Sequence, residues 1–194
     1  PPTGMGTDSD VNLVDCIRVA AAPQSAGRGV LTVLNNQIQA ARDVTKTNSY
    51  RLETFQSHDF GYLGYADSDE ETVFYRRPER AHTTATEFDI AAVDQLPRVD
   101  IAFAYAGADG LASRALAQGG AAGIVAAGHG SGGSPPEFMA ALKEVKDGGT
   151  PVVLATHTGT GRVMLTRRFQ EDGYIVADNL APKKARVLLM LALT

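Results

Sequence analysis

From Arg98 onward the chain alternates short apolar runs with helix-patterned segments, and this alternation constrains the fold more than any other feature. Residues 99–105 read as a strand, 110–118 as a helix, 123–127 as a strand, and 136–146 as a helix opened by proline. Residues 151–156 and 174–177 read as further strands, and 182–193 as a closing helix that again begins on proline. Such short connections between β, α and β segments favour parallel strands joined by crossover helices. The spacing predicts a parallel, doubly wound α/β sheet over residues 98–194.

The first half is patterned differently. Asp8-Ser9-Asp10 offers N-caps for a helix reaching Ala22, with Leu13, Val14, Ile17, Ala20 and Ala21 on one face and Cys16 in the core. Residues 30–34 read as a buried strand, followed by an Asn35-Asn36 turn and a loop rich in charge and hydroxyls. Residues 54–75 are richer in aromatic side chains, with Gly61 and Gly64 marking short strands joined by turns. Asp67-Ser68-Asp69-Glu70-Glu71 reads as a solvated hairpin tip, since its spacing fits no EF-hand. Residues 78–97, bounded by prolines and without strong periodicity, read as a linker.

Composition excludes more than it assigns. The 44% apolar and 21% charged fractions suit a globular core, and a net charge of -4 with scattered cations gives no nucleic-acid or membrane footprint. The single cysteine rules out a disulfide within the chain. No apolar run reaches the ~18 residues of a membrane-spanning helix. Pro1-Pro2-Thr3-Gly4 reads as an interior loop rather than a natural start.

The loop after the Asn35-Asn36 turn carries the strongest functional signal. Arg42-Asp43-Val44-Thr45-Lys46-Thr47-Asn48 sets a lysine between two threonines, either as solvated surface or as a proton acceptor in its neutral form. These residues, with Leu63-Gly64-Tyr65, Arg80-Ala81-His82-Thr83, Glu87-Phe88-Asp89 and the run from Asp178-Asn179-Leu180-Ala181-Pro182 to Leu193, resemble the bacterial type II L-asparaginases and glutaminase-asparaginases. The resemblance covers the whole chain. It implies the C-terminal part of an asparaginase: residues 1–77 as the tail of a larger N-terminal α/β catalytic domain, 78–97 as a linker, and 98–194 as a small C-terminal α/β domain. The family's Thr-Gly-Gly-Thr-Ile nucleophile strand and later Thr-Asp pair do not occur in this sequence, so this chain alone is expected to be inactive.

The resemblance also implies chemistry and partners. It implies hydrolysis of L-asparagine, with L-glutamine as a second substrate, through a threonine acyl-enzyme without metal or organic cofactor. Lys46 becomes a catalytic member of a threonine-lysine-aspartate relay. Gly107, where the family often has asparagine, becomes a partner-subunit contribution to the substrate site. A homotetramer and a periplasmic or secreted location are implied in the same way.

A second function class rests on Gly128-His129-Gly130-Ser131-Gly132-Gly133, which matches G-x-G-x-x-G between a strand and a helix. It would make the chain a non-catalytic nucleotide- or small-molecule-binding domain. A dinucleotide site needs a carboxylate about 20 residues on, at the end of the next strand. That strand closes on Leu154-Ala155-Thr156-His157, without one. His129 and His157 end consecutive strands, a placement suiting neighbouring loop histidines better than a zinc site lacking a third ligand. Arg162, Arg167 and Arg168 read as a solvated basic patch.

Overall fold

The computed structural model describes residues 3–194; Pro1 and Pro2, the head of the expected interior loop, lie outside them. The chain forms two compact units, Pro1–Glu87 and Phe88–Thr194.

The first unit opens with helix α1 (Ser9–Ala21) and a 3-10 turn (Pro23–Ser25). Six short strands follow: β1 (Leu31–Leu34), β2 (Gln37–Ala40), β3 (Thr45–Lys46), β4 (Phe55–Gln56), β5 (Gly64–Ala66) and β6 (Thr72–Phe74). Four of them make an antiparallel sheet in the order β1-β2-β5-β6, while β3 and β4 pair as a separate ribbon. Asn35 and Asn36 both adopt positive φ, 54° and 58°, as a two-residue hairpin turn of the favoured twist requires. No apolar run marks β2, yet Gln37-Ile38-Gln39-Ala40 pairs with strands on both sides.

α1 lies where expected but is turned the other way. Leu13, Val14 and Ile17 are exposed, Cys16 is exposed, and Asn12, Asp15 and Val19 are buried. The reason lies in the hairpin turn. Asn12 Oδ1 accepts from the Asn35 amide at 2.8 Å, and Asp15 Oδ2 accepts from Asn36 Nδ2 at 3.0 Å. Polar groups buried against a turn that needs acceptors outweigh the apolar stripe, because an unmet buried donor costs about 1–3 kcal/mol. Cys16 donates its thiol to the Val33 carbonyl at 3.5 Å; partial burial, then Asp15, push its pKa up.

The second unit contains β7 (Val99–Phe103), α2 (Leu111–Gln118), β8 (Gly123–Gly128), α3 (Pro136–Asp147), β9 (Val152–Thr156), α4 (Arg167–Glu171), β10 (Ile175–Val176) and α5 (Pro182–Ala192). The sheet is wholly parallel, in the order β10-β9-β8-β7. Every residue of β8 is buried, as a central strand covered on both faces must be. One face packs Ile124, Ala126 and Leu154 against Phe138 and Leu142 of α3. The other packs Val125, Val153 and Ala155 against Ala185 and Leu189 of α5. Helices thus cover both faces, but strand order never reverses. Among the described residues the sheet therefore lacks the crevice that such a reversal opens for ligands in doubly wound sheets. α4 escapes sequence reading because it is only five residues long and four of the five are polar.

Candidate functional site

Lys46 stands on a strand rather than in a free loop. The Asp43 and Val44 amides both donate to the Ala40 carbonyl at 3.0 Å, turning the chain out of β2 and into β3. Lys46 then pairs with Phe55 across the β3–β4 ribbon. Its side chain is exposed, with Nζ 4.9 Å from the centroid of the Phe55 ring, within cation–π range. Arg42 pairs with Asp43 at 3.1 Å.

The hydroxyls around Lys46 hold the ribbon's closing loop. Thr47 donates its amide to the Thr54 carbonyl at 2.7 Å and its hydroxyl to the same oxygen at 3.0 Å. Thr54, 4% exposed, accepts the Asn48 amide at 2.8 Å and donates its own hydroxyl to the Asn48 carbonyl. Asn48 Oδ1 accepts the Tyr50 and Arg51 amides at 2.8 and 3.0 Å. The Thr-Lys-Thr-Asn word is therefore also a loop-closing device that leaves the lysine pointing outward.

Sequence reasoning missed the groups beneath the ribbon. Gln39 of β2, fully buried, donates Nε2–H to the Phe55 carbonyl at 2.7 Å. Its Oε1 accepts the Ser57 hydroxyl at 2.7 Å. Tyr62 donates its hydroxyl to Gln56 Oε1, also at 2.7 Å. The only available signal was a glutamine alternating with Ile38 where a strand was not expected.

Gly107 belongs to the second unit, in the loop after β7, where the Ala108 amide donates to the Tyr105 carbonyl at 3.0 Å. It is exposed, its φ is +80°, and nothing lies within 4 Å of where a Cβ would stand. Lys46 belongs to the first unit.

The glycine-rich loop is used up by its own hydrogen bonds. His129 donates its amide to the Gly133 carbonyl at 2.7 Å, and the Gly132 and Gly133 amides return to the His129 carbonyl at 2.9 Å. A Cβ on Gly128 would lie 2.7 Å from the Gly133 carbonyl oxygen. The glycines serve this closure, and α3 then begins on Pro135-Pro136, which have no amide hydrogen to offer an anion. His129 and His157 are neighbours, Nδ1 to Nε2 at 2.9 Å. Among the described residues no group of three or more His, Cys, Asp or Glu is arranged to hold a metal ion. Arg162, Arg167 and Arg168 each face a carboxylate, Asp178 at 2.8 Å, Glu171 at 2.7 Å and Asp172 at 3.9 Å.

The family model described as Asparaginase, N-terminal, matches residues 1–80, and the one described as Glutaminase/Asparaginase C-terminal domain matches residues 98–194. L-asparaginase 2 of Bacillus subtilis is 40% identical over 195 residues, covering 100% of this chain and 51% of its own. Glutaminase-asparaginase of Pseudomonas fluorescens is 36% identical over 197 residues, covering 100% of this chain and 54% of its own. The crystal structure of a probable cytoplasmic L-asparaginase from Campylobacter jejuni superposes with a TM-score of 0.95 at 37% identity, covering 100% of this chain and 63% of that one. The chain spans about half the length of the curated relatives it matches. With both halves of its sequence matched by models of one family, and its fold by a solved member, the chain belongs to the glutaminase/asparaginase family.

Proposed function

We propose that the whole protein to which this chain belongs is an L-asparaginase, converting L-asparagine to L-aspartate and ammonia and accepting L-glutamine as a second substrate. The observation carrying this reading is the likeness of the entire chain to proteins named L-asparaginase and glutaminase-asparaginase. Within it, Lys46 is the proton acceptor and Gly107 a substrate-side position contributed by a partner subunit. The threonine nucleophile implied by the resemblance has no match in these residues.

The chemistry asks little of this chain beyond one amine. The threonine oxygen attacks the side-chain amide carbon while neutral Lys46 accepts its proton, and that proton reaches the departing nitrogen as ammonia leaves. Water then splits the threonine ester and releases aspartate. An outward-pointing amine on a hydrogen-bonded ribbon supports this role, because a general base must reach the reacting hydroxyl to within hydrogen-bond distance.

We propose further that residues 1–77 form the C-terminal part of the catalytic domain, 78–97 the linker and 98–194 the small domain. Assembly as a homotetramer and a periplasmic or secreted location complete the proposal. The deciding experiment incubates the whole protein with L-asparagine and L-glutamine and follows ammonia and the acidic product. Absence of ammonia from a folded sample would overturn the enzymatic reading. Light scattering tests the tetramer, limited proteolysis the linker, and cell fractionation the location. Recovery in the cytoplasm, the compartment named for the Campylobacter jejuni protein, would overturn export.

The nucleotide-binding reading of the 128–133 loop is not favoured. Its amides at 129, 132 and 133 are committed within the loop, and the sheet has no strand-order reversal.

A further inference from the structure

The ribbon carrying Lys46 is fastened to β2 through one buried carboxamide. Ile38 faces the cluster of Val19, Val33 and Ala66. Successive side chains on a strand alternate, so Gln39 faces the other way, toward the ribbon. Its two hydrogen bonds end on Phe55 and Ser57, and Phe55 is the residue paired with Lys46. Gln39 and Ser57 are 0% and 3% exposed, so neither bond competes with water. A buried carboxamide is costly unless both its ends are used, and here both are. The strand opposite Lys46 is thus held from below while the lysine side chain stays exposed.

We propose that Gln39 is a positioning residue for Lys46, setting the height and register of the ribbon from which the amine reaches the reacting hydroxyl. This deepens, and rests on, the reading of Lys46 as proton acceptor. Displacement of a base by about 1 Å can cost on the order of a hundredfold in rate, so a fastening point beneath the ribbon acts on turnover without touching substrate.

Gln39→Leu in the whole protein removes both bonds at similar volume. The expected result is a fall in kcat on the order of tenfold or more, with KM for asparagine changed less than about threefold. On a Lys46→Met background the same change should lower residual turnover by less than about twofold, because a displaced base matters only where a base is present. Amide exchange gives a readout independent of activity. Exchange of the Thr47 amide, which crosses the ribbon to Thr54, should speed about tenfold in Gln39→Leu and stay unchanged in Lys46→Met. Gln39→Glu serves if the leucine variant does not fold. Its protonated form can donate to Phe55 and its ionised form cannot, so its activity relative to wild type should rise as pH falls. Losses that simply multiply in the double variant, or unchanged Thr47 exchange in folded Gln39→Leu, would overturn the proposal. Near-wild-type turnover in Lys46→Met would instead sink the underlying reading of the lysine, with the exchange data still deciding whether Gln39 holds the ribbon.

Discussion

Lys46 Nζ lies 4.9 Å from the centroid of the Phe55 ring, and Phe55 is its partner across the β3–β4 ribbon. The lysine is held by its strand and a ring face. Lys46→Met keeps the stem's approximate volume and removes the amine. In the whole protein, turnover of asparagine should fall on the order of a hundredfold or more, the usual range for loss of a general base, with the melting temperature nearly unchanged. Lys46→Arg should fail almost as badly, since guanidinium keeps its proton at any working pH. If Lys46 only braced the ribbon, arginine would rescue activity and methionine would lower the melting temperature along with the rate.

Gly107 offers a position where a side chain can be added without collision. Its φ of +80° disfavours most residues, but asparagine is among those that tolerate this region best. Gly107→Asn should therefore fold and assemble. If the loop faces a partner's substrate, the new carboxamide contributes a hydrogen bond of about 1 kcal/mol, seen as a several-fold shift in the asparagine-to-glutamine ratio of kcat/KM. An unchanged ratio in an intact assembly would place the loop away from the substrate.

Gly128 is a matter of close approach rather than of ligand binding. A Cβ there would stand 2.7 Å from the Gly133 carbonyl oxygen and 2.8 Å from the Gly132 carbonyl carbon and oxygen, all backbone atoms of the same tight loop. Gly128→Ala should destabilise the second unit by about 1–3 kcal/mol through this overpacking. A thermal melt measures it, and a midpoint matching wild type would contradict the tight closure. The same variant should leave any nucleotide binding unchanged, because the loop's amides at 129, 132 and 133 are committed to its own carbonyls.

What the sequence disclosed, and what it hid, follows from how each segment is stabilised. The second unit was legible because its central strands β8 and β9 are buried throughout and two of its helices, α3 and α5, start on prolines, so apolar runs and breakers coincide with structure. The first unit was less so. α1 is oriented by Asn12 and Asp15 reaching a turn over twenty residues away in the chain, an interaction that no hydrophobic stripe records. β2 is a strand because its neighbours pair with it, and Gln39 is buried because the ribbon supplies its partners. Local pattern could point to Lys46. It could not show what lies beneath it.

His82 provides a pH dependence that follows from the number of hydrogens on a ring. Its Nδ1 lies 2.6 Å from the Arg80 carbonyl oxygen and its Nε2 3.0 Å from the Gly27 carbonyl oxygen. Carbonyl oxygens only accept, so both nitrogens must donate, and only the imidazolium carries two N–H groups. The bond to Arg80, then that to Gly27, raise the pKa above the ordinary 6.5, with slight desolvation opposing them. A raised folded value fixes the sign: the stabilisation is fully present below the ordinary pKa and is lost as pH rises through the folded one. The tether between the Gly27 turn and the 80–82 segment should therefore be firmest in mild acid. An NMR titration of the His82 ring should show a midpoint above 6.5, and proteolysis just beyond residue 82 should quicken as pH rises past that midpoint. His82→Gln, which cannot titrate, should abolish that pH dependence of cleavage. A His82 midpoint at or below 6.5 would mean that one of the two carbonyl bonds does not form in solution.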